Sequence, residues 1–136
     1  MENIKIDKSL CKKFQIKFLY LFGSCAKGLA QNMSDLDLAI LFSKNFEPIN
    51  LFENTVNFEQ PLKKRFPFKF DIVTLNNAPA LLKFEVISNG KVLYSENEAE
   101  RIEFEVKSVK DYIDQQHTRD IYAQALSERI SEGESK

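Results

Sequence analysis

The chain has 136 residues, of which 43% are hydrophobic, so it matches a single domain with one packed core and is not disordered throughout. The formal net charge is −1, which creates no global basic field and makes nucleic acid an unexpected direct partner. Two cysteines and one histidine form neither a disulfide framework nor a metal-binding pattern, and no apolar run approaches a membrane span, so we expect a cytoplasmic protein without a membrane partner.

The first predicted strand, residues 17–22, is short, apolar and rich in aromatic side chains, and it stops at Gly23. Such a run is typical of a strand that is buried on both faces, so we expect it near the centre of a sheet. Residues 24–30 then have the length of one or two helical turns. The glycine–serine corner at their start provides unpaired backbone N–H groups, which favour the binding of an anion.

Two further segments alternate apolar and polar residues with the period of a strand. In residues 34–42, one face is apolar and the opposite face carries Asp35 and Asp37. In residues 68–74 the apolar side chains again share one face, and Asp71 lies on the other. The sequence therefore predicts two strands that each present carboxylates on one face.

Helices are predicted between and after these strands. Pro48 is well placed for the first turn of a helix that reaches about residue 60, where Pro61 is expected to disrupt it. A second helix, residues 79–89, is expected to end at Gly90 in the left-handed conformation that closes many helices.

The C-terminal part of the chain is predicted to be mainly helical. After a short edge strand at residues 91–94, residues 98–130 space their aliphatic side chains as a helix does, among many charges. They form one long helix or two, and the polar residues 114–118 mark the expected break. Residues 131–136 are expected to be a disordered tail, so residues 1–130 form the single predicted domain.

The strongest functional signal joins the glycine corner to the first two carboxylates. Gly23 and Ser24 are followed, after ten residues, by Asp35 and Asp37 within one strand–helix–strand unit. An Asp-x-Asp pair alone is more often a solvated strand face, but two carboxylates about 7 Å apart on one face can also bind Mg²⁺ together with substrate phosphates. Asp71 on a neighbouring strand would complete a site for two metal ions about 3.5–4 Å apart, which is typical of in-line phosphoryl transfer.

Several short motifs are distributed along the chain. They are Leu21-Phe22-Gly23-Ser24, Lys27-Gly28, Ser34-Asp35-Leu36-Asp37-Leu38, Asp71 and, more loosely, residues 87–94. These motifs resemble the minimal nucleotidyltransferase branch of the DNA polymerase beta superfamily. The resemblance implies an α+β fold of the polymerase beta type, in which a small mixed sheet is flanked by helices and followed by a helical C-terminal segment.

The resemblance also assigns roles within the site. In that family the glycine–serine corner holds the triphosphate, the first two acids bind both metal ions, and the third acid binds the catalytic ion and helps to deprotonate the acceptor. These roles fall to Gly23, Ser24, Asp35, Asp37 and Asp71. Family members usually carry arginine where this chain has Lys27, so phosphate contact by Lys27 and a solvated position on a short helix both stay open.

Members of this branch commonly act as antitoxins. The resemblance implies that this chain transfers AMP from ATP, with Mg²⁺, to a tyrosine of a small helical ribonuclease toxin of the HEPN family (higher-eukaryote and prokaryote nucleotide-binding). A protein acceptor agrees with the sequence, because only about 65 residues follow Asp71 and they are mainly helical.

Two alternatives stay open. A transferase that modifies a small hydroxyl compound, such as an aminoglycoside, shares the Gly-Ser and Asp-x-Asp pattern but needs an acceptor pocket. A non-catalytic antitoxin would neutralise its partner by covering it. The three clustered acids argue against this last alternative, because a binding module gains nothing from clustering negative charges without metal.

Overall fold

The computed structural model describes residues 4–23, 35–66 and 68–134. Within these ranges the elements are α1 (Lys8–Lys13), β1 (Ile16–Phe22), β2 (Asp35–Phe42), α2 (Pro48–Arg65), β3 (Lys69–Thr74), α3 (Ala80–Asn89), β4 (Lys91–Ser95) and α4 (Glu98–Glu134). The strands form one mixed sheet in the order β3-β2-β1-β4, with β1 antiparallel to β2 and β4 and with β2 parallel to β3. The predicted α+β architecture is confirmed, as are the central position of β1 and the edge position of β4.

Apolar side chains pack on both faces of the sheet. On one face, Leu38 and Ile40 of β2 cluster with Phe58 of α2. On the other face, Tyr20 of β1 clusters with Val86 of α3. Because successive residues of a strand point to opposite faces, the odd-numbered residues of β2 share the face that α3 and α4 cover. The alternation predicted for β2 and β3 is confirmed.

The short helix α1 is an element that the sequence patterns did not predict. Asp7 caps its beginning, since the carboxylate accepts a hydrogen bond from the backbone N–H of Ser9 at 3.0 Å. This backbone hydrogen bond lowers the pKa of Asp7. An aspartate followed by a lysine-rich segment is the signal that could have revealed the helix.

Cys11 makes the stability of the fold sensitive to alkaline pH. Its thiol is buried, and burial raises its pKa to about 12, whereas an unfolded cysteine titrates near about 8.5. The folded state therefore keeps a proton that the unfolded state releases. We expect the free energy of unfolding to be unaffected by this group below about pH 8.5 and to fall as the pH rises towards 12.

Urea unfolding of the wild type and of Cys11→Ala between pH 7 and pH 11 tests this expectation. The variant should be less stable at pH 7, because it leaves a cavity, yet it should lose less stability as the pH rises. Burial raises the pKa of Tyr20 in both proteins alike. The pKa of Tyr94 is raised by burial and also by the charge of Cys11, so this second part of its contribution is removed together with the thiol. Identical pH slopes for the two proteins would contradict the assignment to Cys11.

The end of α2 differs from its prediction. The helix runs to Arg65 with Pro61 inside it, so the predicted end near residue 60 is wrong. Leu62, one residue after the proline, is buried, and the backbone N–H of Phe66 donates to the Leu62 carbonyl at 2.9 Å. Packing of this last turn against the core therefore offsets a proline penalty of about 3 kcal/mol.

The conformation predicted for Gly90 is also wrong. It follows α3 with φ −86° and ψ 166°, which is extended backbone and not the left-handed conformation. Glycine is needed there for space, because a Cβ would overlap the carbonyl oxygen of Val86 and lie 3.1 Å from that of Leu21. The close turn from α3 to β4 therefore packs directly against β1.

The C-terminal part is one uninterrupted helix, so the single-helix alternative is confirmed and no break occurs at residues 114–118. Within that segment the hydroxyl of Thr118 donates to the carbonyl of Asp114 at 3.1 Å, and both residues are exposed. These residues are polar because they are exposed to solvent, and the helix continues through them. Of the tail predicted to be disordered, residues 131–134 belong to α4, and residues 135–136 lie outside the described residues. In the described ranges, no helix is long and apolar enough to cross a membrane.

Candidate active site

Two of the predicted carboxylates lie side by side near one end of the sheet. Asp37 of β2 and Asp71 of β3 are direct register partners in the parallel pair. Neighbouring strands are about 4.8 Å apart, so the two side chains leave the backbone within reach of one shared cation. Together with Lys69 and Phe70 they line an open recess of about 260 Å³.

Asp35 is the first residue of β2 and is in register with Lys69 of β3. It precedes Asp37 by two residues, and the sequence alternation predicts that both occupy one face of the strand. The side chain of Asp35 and all of Ser24 and Lys27 lie outside the described part of the chain, as does the helix predicted at residues 24–30. Their roles stay predictions.

Gly23 connects the end of β1 to the acid pair. Its φ of 79° lies in the left-handed region, which side chains other than glycine rarely adopt. A Cβ at this position would also overlap the carboxylate of Asp37, whose register partner on β1 is Phe22. Both backbone conformation and space therefore favour glycine, and the backbone of the corner lies beside Asp37.

We expect Gly23→Val to weaken nucleotide binding more severely than Ser24→Ala. The branched side chain would be strained at positive φ and would collide with Asp37, while also blocking phosphate from the corner amides. Calorimetric titration with a non-hydrolysable ATP analogue measures the affinities, and circular dichroism checks that each variant is folded. Unchanged affinity in both variants would mean that the corner is a tight turn without a role in binding.

The chemistry of the recess suits a divalent cation. Two carboxylates at neighbouring register positions repel each other unless a positive charge lies close to both. Carboxylate oxygens are the ligands that Mg²⁺ prefers, and phosphate oxygens of a substrate commonly complete its coordination. Among the described side chains, which exclude Asp35, no group of three or more candidate ligands is arranged to hold a metal ion. Asp37 and Asp71 therefore supply two of the oxygen ligands that a divalent cation would need.

Lys69 lines the recess and was missed by the sequence analysis. It precedes Asp71 by two residues, so the two share a face of β3, and its side chain is exposed. The alternation that singled out Asp71 also contains the signal for Lys69. An ammonium group beside two carboxylates can contact the phosphates of a nucleotide as a point charge.

Paired acids on adjacent strands, next to a glycine corner, are the arrangement expected of an enzyme that transfers nucleotidyl groups. Residues 4–99 match the family model described as polymerase beta, nucleotidyltransferase, which is well over half of the chain. The chain belongs to the polymerase beta nucleotidyltransferase family, and the resemblance seen in its motifs is confirmed.

Known relatives share both sequence and fold with this chain. It is 29% identical over 109 residues to the protein adenylyltransferase MntA of Shewanella oneidensis strain MR-1, covering 80% of this chain and 73% of that protein. A crystal structure of a toxin–antitoxin with AMP-PNP is similar with a TM-score of 0.69 and 26% identity, over 87% of this chain and 93% of that one. The MNT antitoxin in complex with a tri-AMPylated HEPN toxin of S. oneidensis has the same fold, with a TM-score of 0.63, 23% identity and coverage of 87% and 90%.

Proposed function

We propose that this chain is a Mg²⁺-dependent protein adenylyltransferase that acts as an antitoxin, transferring AMP from ATP to a tyrosine of a HEPN toxin. The observation that carries the proposal is the register pairing of Asp37 with Asp71 beside Gly23. In a chain of this family, that pairing sets metal-binding oxygens next to a corner where a triphosphate can approach the backbone.

The relatives support the choice of reaction and partner. MntA is a protein adenylyltransferase, and the structure that shares 26% identity is a toxin–antitoxin with a non-hydrolysable ATP analogue. Both cover most of this chain, including the strands that carry the acids. AMP transfer from ATP to a protein is therefore the reaction that we assign to the recess.

The residues of the recess have distinct roles in this reaction. The backbone at Gly23 cradles the triphosphate, and Lys69 contributes a positive charge close to it. Asp35, Asp37 and Asp71 would hold the metal ions. Bound Mg²⁺ supplies charge neutralisation at the phosphates and makes the acceptor hydroxyl more acidic.

Transfer exchanges one phosphorus–oxygen bond for another. The tyrosine oxygen bonds to the α-phosphorus, the bond from that phosphorus to the β-phosphate oxygen breaks, and pyrophosphate leaves. The hydroxyl proton passes to the carboxylate of Asp71 and then to water. Alignment of the attacking oxygen with the leaving group depends on the rigid strands that carry the acids.

The shape of the recess favours a protein acceptor over a small compound such as an aminoglycoside. In the described part of the chain it is open and lined by four residues, with a volume of about 260 Å³. Pockets that enclose a small ligand usually have about 300–1,000 Å³ and bury most of its surface. A tyrosine on a protein brings its own binding surface and needs only access to the acids.

Labelled nucleotide transfer tests the proposal. The chain is incubated with each of the four NTPs labelled at the α-phosphate, with Mg²⁺, and with either the HEPN protein encoded beside it or an aminoglycoside. We expect label from ATP on a tyrosine of the HEPN protein and no transfer after EDTA is added. Label on the aminoglycoside alone, or no label on either acceptor, would reject the proposal.

A further inference from the structure

Helix α4 extends well beyond the domain that it packs on. Its 37 residues span about 55 Å at 1.5 Å per residue. Asp111 and Gln115 line a cleft together with Ala78 and Lys83 at the start of α3. From residue 117 to residue 131 every position is exposed. We call residues 117–134, a segment about 27 Å long, the α4 arm.

The α4 arm carries an apolar stripe that continues the packed face of the helix. Tyr122, Leu126 and Ile130 are spaced by four residues and are 74%, 58% and 55% exposed. Each follows by 18 residues, or five helical turns, a residue that packs on the domain: Phe104, Ser108 and Tyr112. The face that packs in the first half of α4 thus continues past the domain as an apolar surface open to solvent.

Exposed apolar side chains are concentrated on this helix. Of the eleven large hydrophobic residues that are exposed in the described ranges, seven belong to α4. Scattered exposed residues need no explanation, but a continuous stripe of this kind marks an interaction surface. Tyrosine is also among the side chains that are enriched at protein interfaces.

Charge indicates the kind of partner. Helix α4 contains ten acidic and five basic residues, a net charge of −5, and its arm contains four acidic and two basic residues, a net charge of −2. The whole chain has −1, so the residues outside α4 carry +4. Pairing this helix with a second copy of itself would bring two acidic surfaces together. A ribonuclease presents a basic surface to the RNA phosphates, and such a surface complements α4 in charge.

We propose that the α4 arm is the surface on which the toxin docks, separately from the site of AMP transfer. This inference rests on the proposed function, because the toxin is its partner there. The cleft between α4 and the start of α3 is lined by Ala78 and Lys83, which follow the end of β3. Asp71 lies near the beginning of the same strand. The arm and the acid pair thus lie towards different ends of β3, so toxin binding and nucleotide transfer are separable.

The test compares Leu126→Arg with the matched control Ser127→Arg, in the full-length protein. Both variants add one positive charge to an exposed turn of the arm, but only Leu126 belongs to the apolar stripe. We expect Leu126→Arg to weaken the Kd for the neighbouring HEPN protein at least tenfold and to raise the KM for that protein. Its kcat and its affinity for a non-hydrolysable ATP analogue should stay unchanged, and Ser127→Arg should bind within twofold of the wild type.

Several outcomes would overturn the inference. Wild-type toxin affinity in Leu126→Arg, or an equal loss in both variants, would mean that the stripe does not hold the toxin. Light scattering tests whether a second copy of this chain occupies the arm instead. If the wild type is a dimer and Leu126→Arg is a monomer with unchanged toxin affinity, the arm is a self-interface. A wild type that binds the toxin without labelling it would reject the proposed function alone, since the Kd comparison still tests the arm.

Discussion

Asp37→Asn is expected to abolish AMP transfer while leaving the protein folded. The substitution removes one negative metal ligand without changing the size of the side chain, and Asp37 is the carboxylate that lies between the glycine corner and Asp71. A neutral amide is a weak ligand for Mg²⁺ and leaves less negative charge to balance the metal ion. Transfer should therefore fall below detection, and EDTA should reproduce this loss with the wild type.

The measurement pairs incorporation of labelled AMP with the midpoint of thermal unfolding. The midpoint of Asp37→Asn should stay close to that of the wild type, because the substitution keeps the size of the side chain and lies outside the apolar core. Asp114→Asn, which changes an exposed acid on α4, is the matched control and should keep full activity. Transfer near the wild-type rate by Asp37→Asn would show that the metal site has been assigned to the wrong residues.

The strands of this fold could be predicted because the alternation of apolar and polar residues indicates which face of each strand is buried. In β2, a two-residue period separates Leu38 and Ile40 in the core from Asp37 at the opposite face, and a shift of one residue would bury the acid. This physical penalty fixes each strand and its face from local sequence. The same alternation placed Asp71 on the correct face of β3.

The ends of the helices could not be predicted in the same way, because distant contacts decide them. Proline disfavours a helix locally, yet Leu62 packs in the core and keeps α2 helical past Pro61. At Gly90 a Cβ would overlap the carbonyl oxygen of Val86, four residues earlier, and would also press on that of Leu21 on another strand. The local sequence pattern contains neither the packing of Leu62 nor the approach of Leu21.

The site was predicted in part. The sequence placed carboxylates on two strands, but their adjacency depends on the parallel pairing of β2 with β3, a property of topology and not of either strand alone. The family resemblance supplied the expectation, and the register of Asp37 with Asp71 confirms that these two lie together. Lys69 was missed because a lysine on a polar strand face is usually only a solvated residue.

Asp71→Asn is expected to separate nucleotide binding from transfer. In the proposed mechanism, the ion that holds the triphosphate would depend chiefly on Asp35, Asp37 and phosphate oxygens, whereas the ion near the acceptor hydroxyl would need Asp71 as an additional ligand. Affinity for a non-hydrolysable ATP analogue should therefore change little. Transfer should fall by orders of magnitude, because a tyrosine hydroxyl with a pKa of about 10 is a weak nucleophile at neutral pH without a metal ion or a base.

The pH dependence of this variant identifies the step that is lost. Each pH unit below the pKa of about 10 reduces the tyrosinate fraction about tenfold, so raising the pH from 7 to 9 should restore part of the transfer by Asp71→Asn and little in the wild type. The series stops at pH 9, because above about pH 8.5 the unfolded chain releases the Cys11 proton and the free energy of unfolding falls increasingly. If ATP affinity falls together with transfer, Asp71 holds substrate or fold. If neither changes, it is a surface acid, and the ligand that activates the acceptor lies elsewhere in the chain.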